Sequence, residues 1–180
     1  FVAASAGNSG PGVAVAHVSP WLTTVAASTH DRALSADVTL GNGAKYSGAS
    51  INPTALPATP MIRAQDAGVA GADATSLRLC FNTGVLDSSK VTGKVVVCDR
   101  GSNARTDKSL AVANAGGAGM VLADNGAGLV ADVHSVPTVH VTAADGAINK
   151  AYAATAGSTA AISVFYNYGT QAPVMAGFSS

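Results

Sequence analysis

Apolar residues along this chain fall into short runs separated by glycine, proline and polar residues, and the clearest series lies near the middle. Residues 94–99 and 119–123 are apolar runs typical of buried strands. Residues 105–115 between them have the spacing of a helix, which Thr106 or Asp107 could cap at its start. This order predicts a β-α-β unit with a right-handed crossover.

The ends of the predicted helices are marked by residues with known capping roles. Gly116-Gly117 can end the first helix in a left-handed conformation. Residues 142–155 form a second predicted helix, opened by the capping-box sequence Thr142-Ala-Ala-Asp145 and carrying Ile148 and Tyr152 on one face. A third, short helical turn is predicted at 87–90 from its aspartate cap.

Turn-forming residues divide the segment before this series. Residues 37–46 predict a hairpin, because Asn42-Gly43 separates two alternating stretches. Residues 50–60 contain three prolines and predict an extended connection. Residues 61–64 predict a short strand, and the Gly-, Ala- and Asp-rich residues 65–75 predict a loop.

Four further apolar runs predict strands. Residues 136–141 and 159–165 lie in the second half of the chain, whereas 1–6 and 22–27 lie near its start. The last two are short and continuously apolar, as in parallel strands that are covered on both faces. Cut from the sheet that covers them, they would lose most of their partners.

Composition narrows the class of protein. Hydrophobic residues make up 48% of the 180 residues and charged residues 11%, which excludes a disordered chain. Ten basic and ten acidic residues are scattered, so no basic patch indicates nucleic-acid binding. No apolar run approaches the ~20 residues of a membrane helix. No basic leader precedes Phe1, so the sequence carries no direct signal about export.

The two cysteines allow a single bridge. Cys80 and Cys98 each end an apolar run, so both could lie on neighbouring strands. Taken alone, the pair is equally compatible with two buried free thiols.

Both ends of the chain carry motifs that resemble one known family. Residues 3–11 read Ala-Ala-Ser-Ala-Gly-Asn-Ser-Gly-Pro, and residues 172–180 read Ala-Pro-Val-Met-Ala-Gly-Phe-Ser-Ser. Both resemble catalytic-domain segments of subtilisin-like serine proteases (subtilases), and the stretch between them resembles the protease-associated (PA) domain that some subtilases carry as an insertion. The resemblance continues through Pro20-Trp21, 24–29, 40–43, 90–101 and 115–123.

The resemblance implies a catalytic role for Asn8. In subtilases this side-chain amide helps to form the oxyanion hole, and loss of such a donor costs about 10²–10³ in rate, a magnitude measured in a subtilisin. The alternative is an ordinary Asn-Ser-Gly turn. The family's aspartate, histidine and serine motifs are absent here, and Ser179 and Ser180 precede the nucleophile's position. We therefore expect the chain alone not to hydrolyse peptides.

The resemblance also sets the expected fold and organisation. It implies an α+β chain: a small β-sandwich or open barrel with two flanking helices, plus strand arms from an α/β catalytic domain. The predicted divisions are 1–34 (catalytic-domain segment), 35–59 (hairpin and connection), 60–165 (PA domain) and 166–180 (return to the catalytic domain). Because similar cysteines resemble a disulfide pair in this family, a Cys80–Cys98 bridge and a secreted, extracellular protein are expected.

The partners implied by the family are a protein or peptide substrate and the rest of the catalytic domain. A surface for substrate or partner is predicted on residues 65–75 and 125–135, or the chain could instead pair as a homodimer. No cofactor, nucleic acid or membrane partner is expected. The residues proposed for the surface are Gln65, Asp66, Asp73, Asn125 and Asp132.

Three other groups of residues invite chemistry but have simpler explanations. Gly116–Gly119 follows a helix and precedes a strand, the reverse of a phosphate-binding loop. Asp132, His134 and His140 could bind a metal, but this spacing is common by chance, so no metal site is assigned. Arg100 could bind a partner carboxylate, although a salt bridge within its own loop is favoured.

Overall fold

The computed structural model describes residues 1–10, 12, 15–169 and 172–180. The chain divides into two compact units. We call residues 34–166 the barrel unit, and residues 1–33 together with 167–180 the terminal unit.

The regular elements alternate along the chain. The strands are β1 (Ala3–Ser5), β2 (Thr23–Val25), β3 (Arg32–Leu40), β4 (Lys45–Ala49), β5 (Leu56–Arg63), β6 (Val95–Asp99), β7 (Gly119–Ala123), β8 (Thr138–Val141), β9 (Thr159–Ile162) and β10 (Tyr166–Gly169). The helices are α1 (Ala74–Arg78), α2 (Ser88–Val91), α3 (Arg105–Asn114) and α4 (Ala143–Ala153), with a 3-10 turn at Ala64–Asp66.

The seven strands β3 to β9 form a closed mixed barrel. Their order is β3-β4-β8-β7-β6-β5-β9, and β9 pairs back with β3, while β10 also pairs with β3. Strands β5, β6, β7 and β8 run parallel, whereas β3 is antiparallel to β4 and β9. The α+β class is confirmed, and the predicted barrel closes instead of remaining open.

The predicted β-α-β unit is present as β6-α3-β7. Val95 pairs with Gly119 and Asp99 with Ala123 in parallel register. Gly116 ends α3 with φ +79°, and its N–H donates to the carbonyl of Ala113. The helix begins at Arg105 as predicted, but the predicted cap is wrong: the N-cap is Ala104, and neither Thr106 nor Asp107 caps this end.

Two local signals are confirmed in detail. The β3–β4 hairpin turns through Gly41–Gly43, with Gly43 at φ +87° and Leu40 N–H donating to the Ala44 carbonyl. The carboxylate of Asp87 caps α2 by accepting from the Ser89 N–H at 2.9 Å.

The second long helix, α4, begins as predicted but buries a different face. Thr142 Oγ1 accepts from the Asp145 N–H at 3.1 Å. The buried residues of α4 are Gly146, Asn149 and Ala153, whereas Ile148 is 48% exposed. The apolar side chain of Ile148 does not mark the buried face, because the helix packs through small residues. A Cβ on Gly146 would lie 2.3 Å from that of Ala123.

The extended connection predicted at 50–60 is partly wrong. Strand β5 begins at Leu56, so it contains two prolines. Its register with β9 shifts between Leu56 and Thr59, and Pro57 lies in that irregular interval, where a missing N–H costs the ladder nothing.

The disulfide joins Cys80 and Cys98, whose Cα atoms are 5.8 Å apart. Cys98 lies on β6, but the strand predicted for Cys80 is wrong. Asp73 starts the helix α1 by accepting from the Ser76 N–H, so the segment before Cys80 is helical. Cys80 itself follows α1 with φ +50°.

The core of the barrel unit has two clusters, one on each face of β6 and β7. The first draws on six barrel strands and includes Val95, Val97 and Val121. The second includes Val96, Cys98, Met120 and Leu122, and packs against α1, α2 and α3. Since both faces are covered, every residue of β6 and β7 is buried.

The terminal unit is built differently. β1 and β2 pair in parallel, with Ala4 opposite Thr24. Val2, Trp21 and Val25 are all more than half exposed, so this pair has little cover within the chain.

None of the helices among the described residues has both the length and the apolar character needed to span a membrane.

Candidate functional site

The loop that carries Asn8 directly follows β1. It is bounded by Gly7 at φ +112° and Gly10 at φ +84°, a conformation that L side chains rarely adopt. Asn8 is exposed, and its side-chain amide makes no hydrogen bond to any residue that the structure describes. The amide N–H groups are therefore available to a ligand oxygen. Pro11, the last residue of the motif, lies outside the described residues.

The C-terminal segment holds this loop in place. Ser180 N–H donates to the Gly7 carbonyl at 3.2 Å, and Ser9 N–H donates to Ser180 Oγ at 3.0 Å. Gly10 N–H donates to the Phe178 carbonyl at 3.0 Å. The structure therefore brings together the two motifs that the sequence places at opposite ends of the chain.

The neighbouring serine is also used as an anchor. Ser179 is 1% exposed, and its Oγ accepts from the Ala27 N–H at 3.0 Å. Together with the Ser180 contact, this binds both hydroxyls to backbone amides. Both serines therefore anchor the C-terminal segment to neighbouring backbone.

In the barrel unit, charged residues gather where the parallel strands end. Arg100 Nη1 donates to Asp124 Oδ1 at 2.9 Å and to the Gly128 carbonyl at 2.5 Å. A salt bridge forms as predicted, but its partner lies in the loop after β7 and not in the loop of Arg100 itself. Burial raises the pKa of Asp124, but hydrogen bonds from Arg100 and from the amides of Gly128 and Gly126 outweigh it and lower that pKa to about 2. This carboxylate stays ionised at neutral pH.

His140 fixes the other side of the same carboxylate. The ring is fully buried, accepts from the Val130 N–H at Nδ1 (3.1 Å) and lies 3.1 Å from Asp124 Oδ1 at Nε2. These contacts fit a neutral ring protonated at Nε2. Burial lowers the pKa of His140, which favours that neutral form.

Asp132 and His134, the other candidate metal ligands, also have partners within the unit. Arg105 Nε and Nη2 donate to the two carboxylate oxygens of Asp132 at 2.5 and 3.3 Å. His134 Nδ1 lies 3.0 Å from Ser109 Oγ, and burial lowers the pKa of His134 to about 4. Within the described ranges, no three His, Cys, Asp or Glu side chains group as a metal site.

A groove of about 550 Å³ lies beside Asp132 and His134. One wall is residues 51–54, which follow β4, and the other is residues 132–138, which lead into β8. Val133 is 78% exposed on the second wall. Of the five residues predicted for a binding surface, only Asp132 lines this groove.

The other predicted surface residues lie in local turns. Asp66 forms a two-point ion pair with Arg63, and Asp73 caps α1. Asn125 Oδ1 accepts from the Ala127 N–H at 3.3 Å, and Gln65 is exposed. The side chains of Asp66 and Asp73 are thus committed to local structure.

Sequence reasoning missed one buried lysine and the ion pairs of one buried aspartate. Lys108 is fully buried on α3, where its Nζ donates to the Leu79 carbonyl at 2.6 Å and to Asn103 Oδ1. Burial lowers the pKa of Lys108 to about 8. The carboxylate of Asp99, which is itself buried, accepts from Arg78 Nη1 at 2.8 Å and from Lys150 Nζ at 2.7 Å. The spacing of residues along the sequence does not predict these contacts, because each contact joins separate elements.

Comparison with known proteins identifies relatives of most of the chain. Residues 54–148 match the family model of the PA domain. The chain is 44% identical over 157 residues to the subtilisin-like protease SBT1.6 of Arabidopsis thaliana, covering 85% of this chain and 20% of that protein. It is 44% identical over 193 residues to SBT1.7 of the same plant, covering 100% and 24%.

The chain thus spans about a fifth to a quarter of the length of these curated relatives. Among solved structures, an aminopeptidase from Aneurinibacillus sp. strain AM-1 matches with a TM-score of 0.51 at 16% identity, over 80% of this chain and 34% of that one. That likeness concerns the fold alone.

Proposed function

Because this chain belongs to the PA domain family, we propose that it is the non-catalytic PA module of a secreted subtilisin-like serine endopeptidase, with flanking segments of the catalytic domain. The module adjusts how protein substrates bind or reach the active site. Likeness to subtilisin-like proteases along the chain supports the parent activity, and the disulfide supports an oxidising, extracellular location. The boundaries proposed are 1–34, 35–59, 60–165 and 166–180.

One observation carries the substrate role. β5 and β7 both run parallel to β6, so the loops that follow them, which contain Gln65 to Asp73 and Asn125 to Asp132, start from the same edge of the barrel. Side chains on two loops at one edge can contact a single extended polypeptide. Gln65 and Asn125, both exposed, are the residues we propose for that contact.

Replacing the barrel unit in the parent protease by a flexible Gly-Ser linker tests this role. We expect kcat/KM on casein to fall much more than kcat/KM on a short chromogenic peptide, because only the long substrate reaches the module. Equal losses on both substrates would contradict the proposal and indicate a module that only stabilises its parent.

We also propose that Asn8 donates to the oxyanion of the acyl intermediate, with the nucleophile, base and acid supplied by other parts of the parent. Its exposed amide, which has no partner among the described residues, and the glycines and backbone hydrogen bonds that shape its loop support this role. Asn8→Ala should lower kcat about 10²–10³-fold on large and small substrates alike. Ser9→Ala, at the adjacent exposed position, is the matched control and should leave kcat within about twofold.

Self-association is a second candidate, favoured by one surface feature. Val164, Phe165 and Tyr166 form an apolar run that is 39–48% exposed. In this case Phe165→Asp in the parent protease should convert a dimer to a monomer in sedimentation velocity. A parent that is monomeric at all concentrations excludes this function.

A further inference from the structure

The groove between residues 51–54 and 132–138 has apolar side chains on both walls, although charged residues lie beside it. We propose that it binds an uncharged, apolar segment of a protein substrate in extended form. This inference rests on the proposed function and adds to it a substrate chemistry and a place. Its volume of about 550 Å³ falls within the range of roughly 300–1,000 Å³ that is typical of ligand sites.

Four of the six polar side chains that line the groove, Asn52, Asp132, His134 and Thr138, have hydrogen-bond partners inside the protein. The hydroxyls of Thr54 and Ser135, both exposed, have no partner among the described residues. Asn52 Nδ2 donates to the Thr54 carbonyl at 2.6 Å and to the Ser163 carbonyl at 3.1 Å. Thr138 Oγ1 donates to the Val136 carbonyl at 2.8 Å. A ligand that required hydrogen bonds from these side chains would have to break existing ones.

The charges of the lining are likewise compensated. Among the described residues that line the walls, Asp132 carries the only carboxylate, and both of its oxygens are paired with Arg105. His134 is neutral at pH 7 because burial lowers its pKa to about 4. The groove therefore offers neither a cation nor an unpaired anion to a charged ligand, and burying an unpaired charge there would be costly.

Apart from the hydroxyls of Thr54 and Ser135, the side-chain surface that remains for contact is apolar. Ile51 and Pro53 lie on one wall, and Val133, Val136 and Pro137 on the other. Val133 projects into solvent at 78% exposure, so its contact with an apolar ligand would remove hydrophobic surface from water.

The second wall is also held in position before any ligand arrives. Arg105 and Ser109 both lie on α3, and they hold Asp132, His134 and the Ser135 N–H (3.2 Å to Ser109 Oγ). Preorganised walls lose less entropy on binding. A groove with apolar walls, and with its charged side chains paired or neutral among the described residues, favours an uncharged apolar chain, such as an unfolded substrate segment.

The test uses the full 180-residue chain and fluorescein-labelled peptides of sequence Gly-Ser-Val-Ala-Val-Pro-Ala-Val-Ser-Gly, in fluorescence anisotropy. In two matched peptides, the Val before proline and the Ala after it are both replaced by Asp or both by Lys. We expect the neutral peptide to bind with a Kd below about 1 mM, and both charged peptides to bind at least about tenfold more weakly. Absence of binding at about 1 mM, or tighter binding of either charged peptide, overturns the proposal.

A variant pair locates the site. Val133→Lys should weaken the neutral peptide at least about tenfold, whereas Ile148→Lys, at an exposed apolar position on α4, should leave its Kd unchanged. Both positions are exposed, so folding is expected to persist, and circular dichroism checks it. Equal affinities of Val133→Lys and the unchanged chain place binding elsewhere and overturn the proposal.

The same variant in the parent protease separates this inference from the proposed function. If Val133→Lys abolishes peptide binding yet casein turnover is unaffected by replacing the barrel unit, the groove stands and the substrate role falls. If barrel replacement impairs casein turnover but Val133→Lys changes neither binding nor turnover, the substrate role stands and the groove falls.

Discussion

The two units of this chain contain parallel strand pairs with opposite surroundings. In the barrel unit, β6 and β7 are buried along their whole length between two apolar clusters. In the terminal unit, β1 and β2 have the same parallel pairing, but both alternate between exposed and half-buried residues. The β1–β2 ladder is shorter, with three residue pairs against five, and it also lacks the apolar cover of β6 and β7.

This contrast shows where the stability of the chain is located. Net stabilisation by a backbone hydrogen bond is modest, since the unfolded chain makes hydrogen bonds with water instead. Burial of the side chains on both faces supplies the larger contribution. We therefore expect changes in the barrel unit to cost far more free energy than matched changes in the terminal unit.

The largest effect is expected from removing the disulfide, which lies in the barrel unit. Replacing Cys80 and Cys98 together by Ala frees a loop with a sequence separation of 18 residues, and should lower the free energy of unfolding by about 3 kcal/mol. Urea unfolding followed by far-UV circular dichroism measures the loss. The single tryptophan, Trp21, reports on the terminal unit. An equal shift of its fluorescence transition would show that the units unfold as one and would contradict the comparison.

A matched pair of valines probes the cover directly. Val121→Ala on β7 removes buried methyl groups and should cost about 2 kcal/mol, whereas Val25→Ala on β2, where valine is 51% exposed, should change stability by less than about 0.5 kcal/mol. Urea titrations of both variants measure the difference. Similar losses at the two positions would mean that β2 is covered as well as β7.

Acid should destabilise the barrel unit in two steps. The folded-state pKa of His134 is lowered to about 4, so the unfolded chain binds the proton more readily and stability falls as pH drops from about 6.5 to about 4. Asp124, with a pKa of about 2, adds a further loss between about pH 4 and 2. The first step should be on the order of 1 kcal/mol, since the His134 ring is only partly buried.

Thermal midpoints measured from pH 7 to pH 3 test this order. His134→Gln should flatten the slope between pH 6.5 and 4, and His17→Gln, at an exposed position of the terminal unit, should not. An unchanged slope in His134→Gln would show that another group controls the acid transition.

The smallest effect is expected from glycine conformation. Gly43, in the β3–β4 turn, has φ +87° with open space around it, so Gly43→Ala should cost about 1 kcal/mol through backbone strain alone. Gly169 also has open space but no positive φ, so Gly169→Ala should be neutral. Thermal unfolding of the pair distinguishes strain from any effect of the added methyl group.

Much of the fold followed from local signals. The Asn-Gly turn, the cap at Asp87 and the glycine stop at Gly116 each act within a few residues, so their sequence fixes their geometry. The strand-helix-strand series at 94–99, 105–115 and 119–123 was confirmed for the same reason: apolar runs of strand and helix length alternate there. For the candidate site, the two end motifs marked the loop of Asn8, whose catalytic role stays a prediction.

Chain-distant contacts were beyond the reach of these signals. Arg105 and Asp132 are 27 residues apart, and Lys108 and the Leu79 carbonyl are 29 apart. No periodicity links such positions, so the sequence suggested a polar binding surface at Asp132, and the structure pairs its carboxylate internally. The face that α4 buries was missed because close helix packing favoured Gly146 over the larger Ile148.

The sequence by itself determined most of the strands, the turns and the family, because each depends on side chains that are neighbours along the chain. It failed at the cap of α3, at Cys80 and at the start of β5. Only the tertiary structure decided that the sheet closes through β3 and β9, that charged side chains are paired, and that an apolar groove remains. These outcomes depend on which surfaces compete for cover and for hydrogen bonds, and that competition is settled in three dimensions.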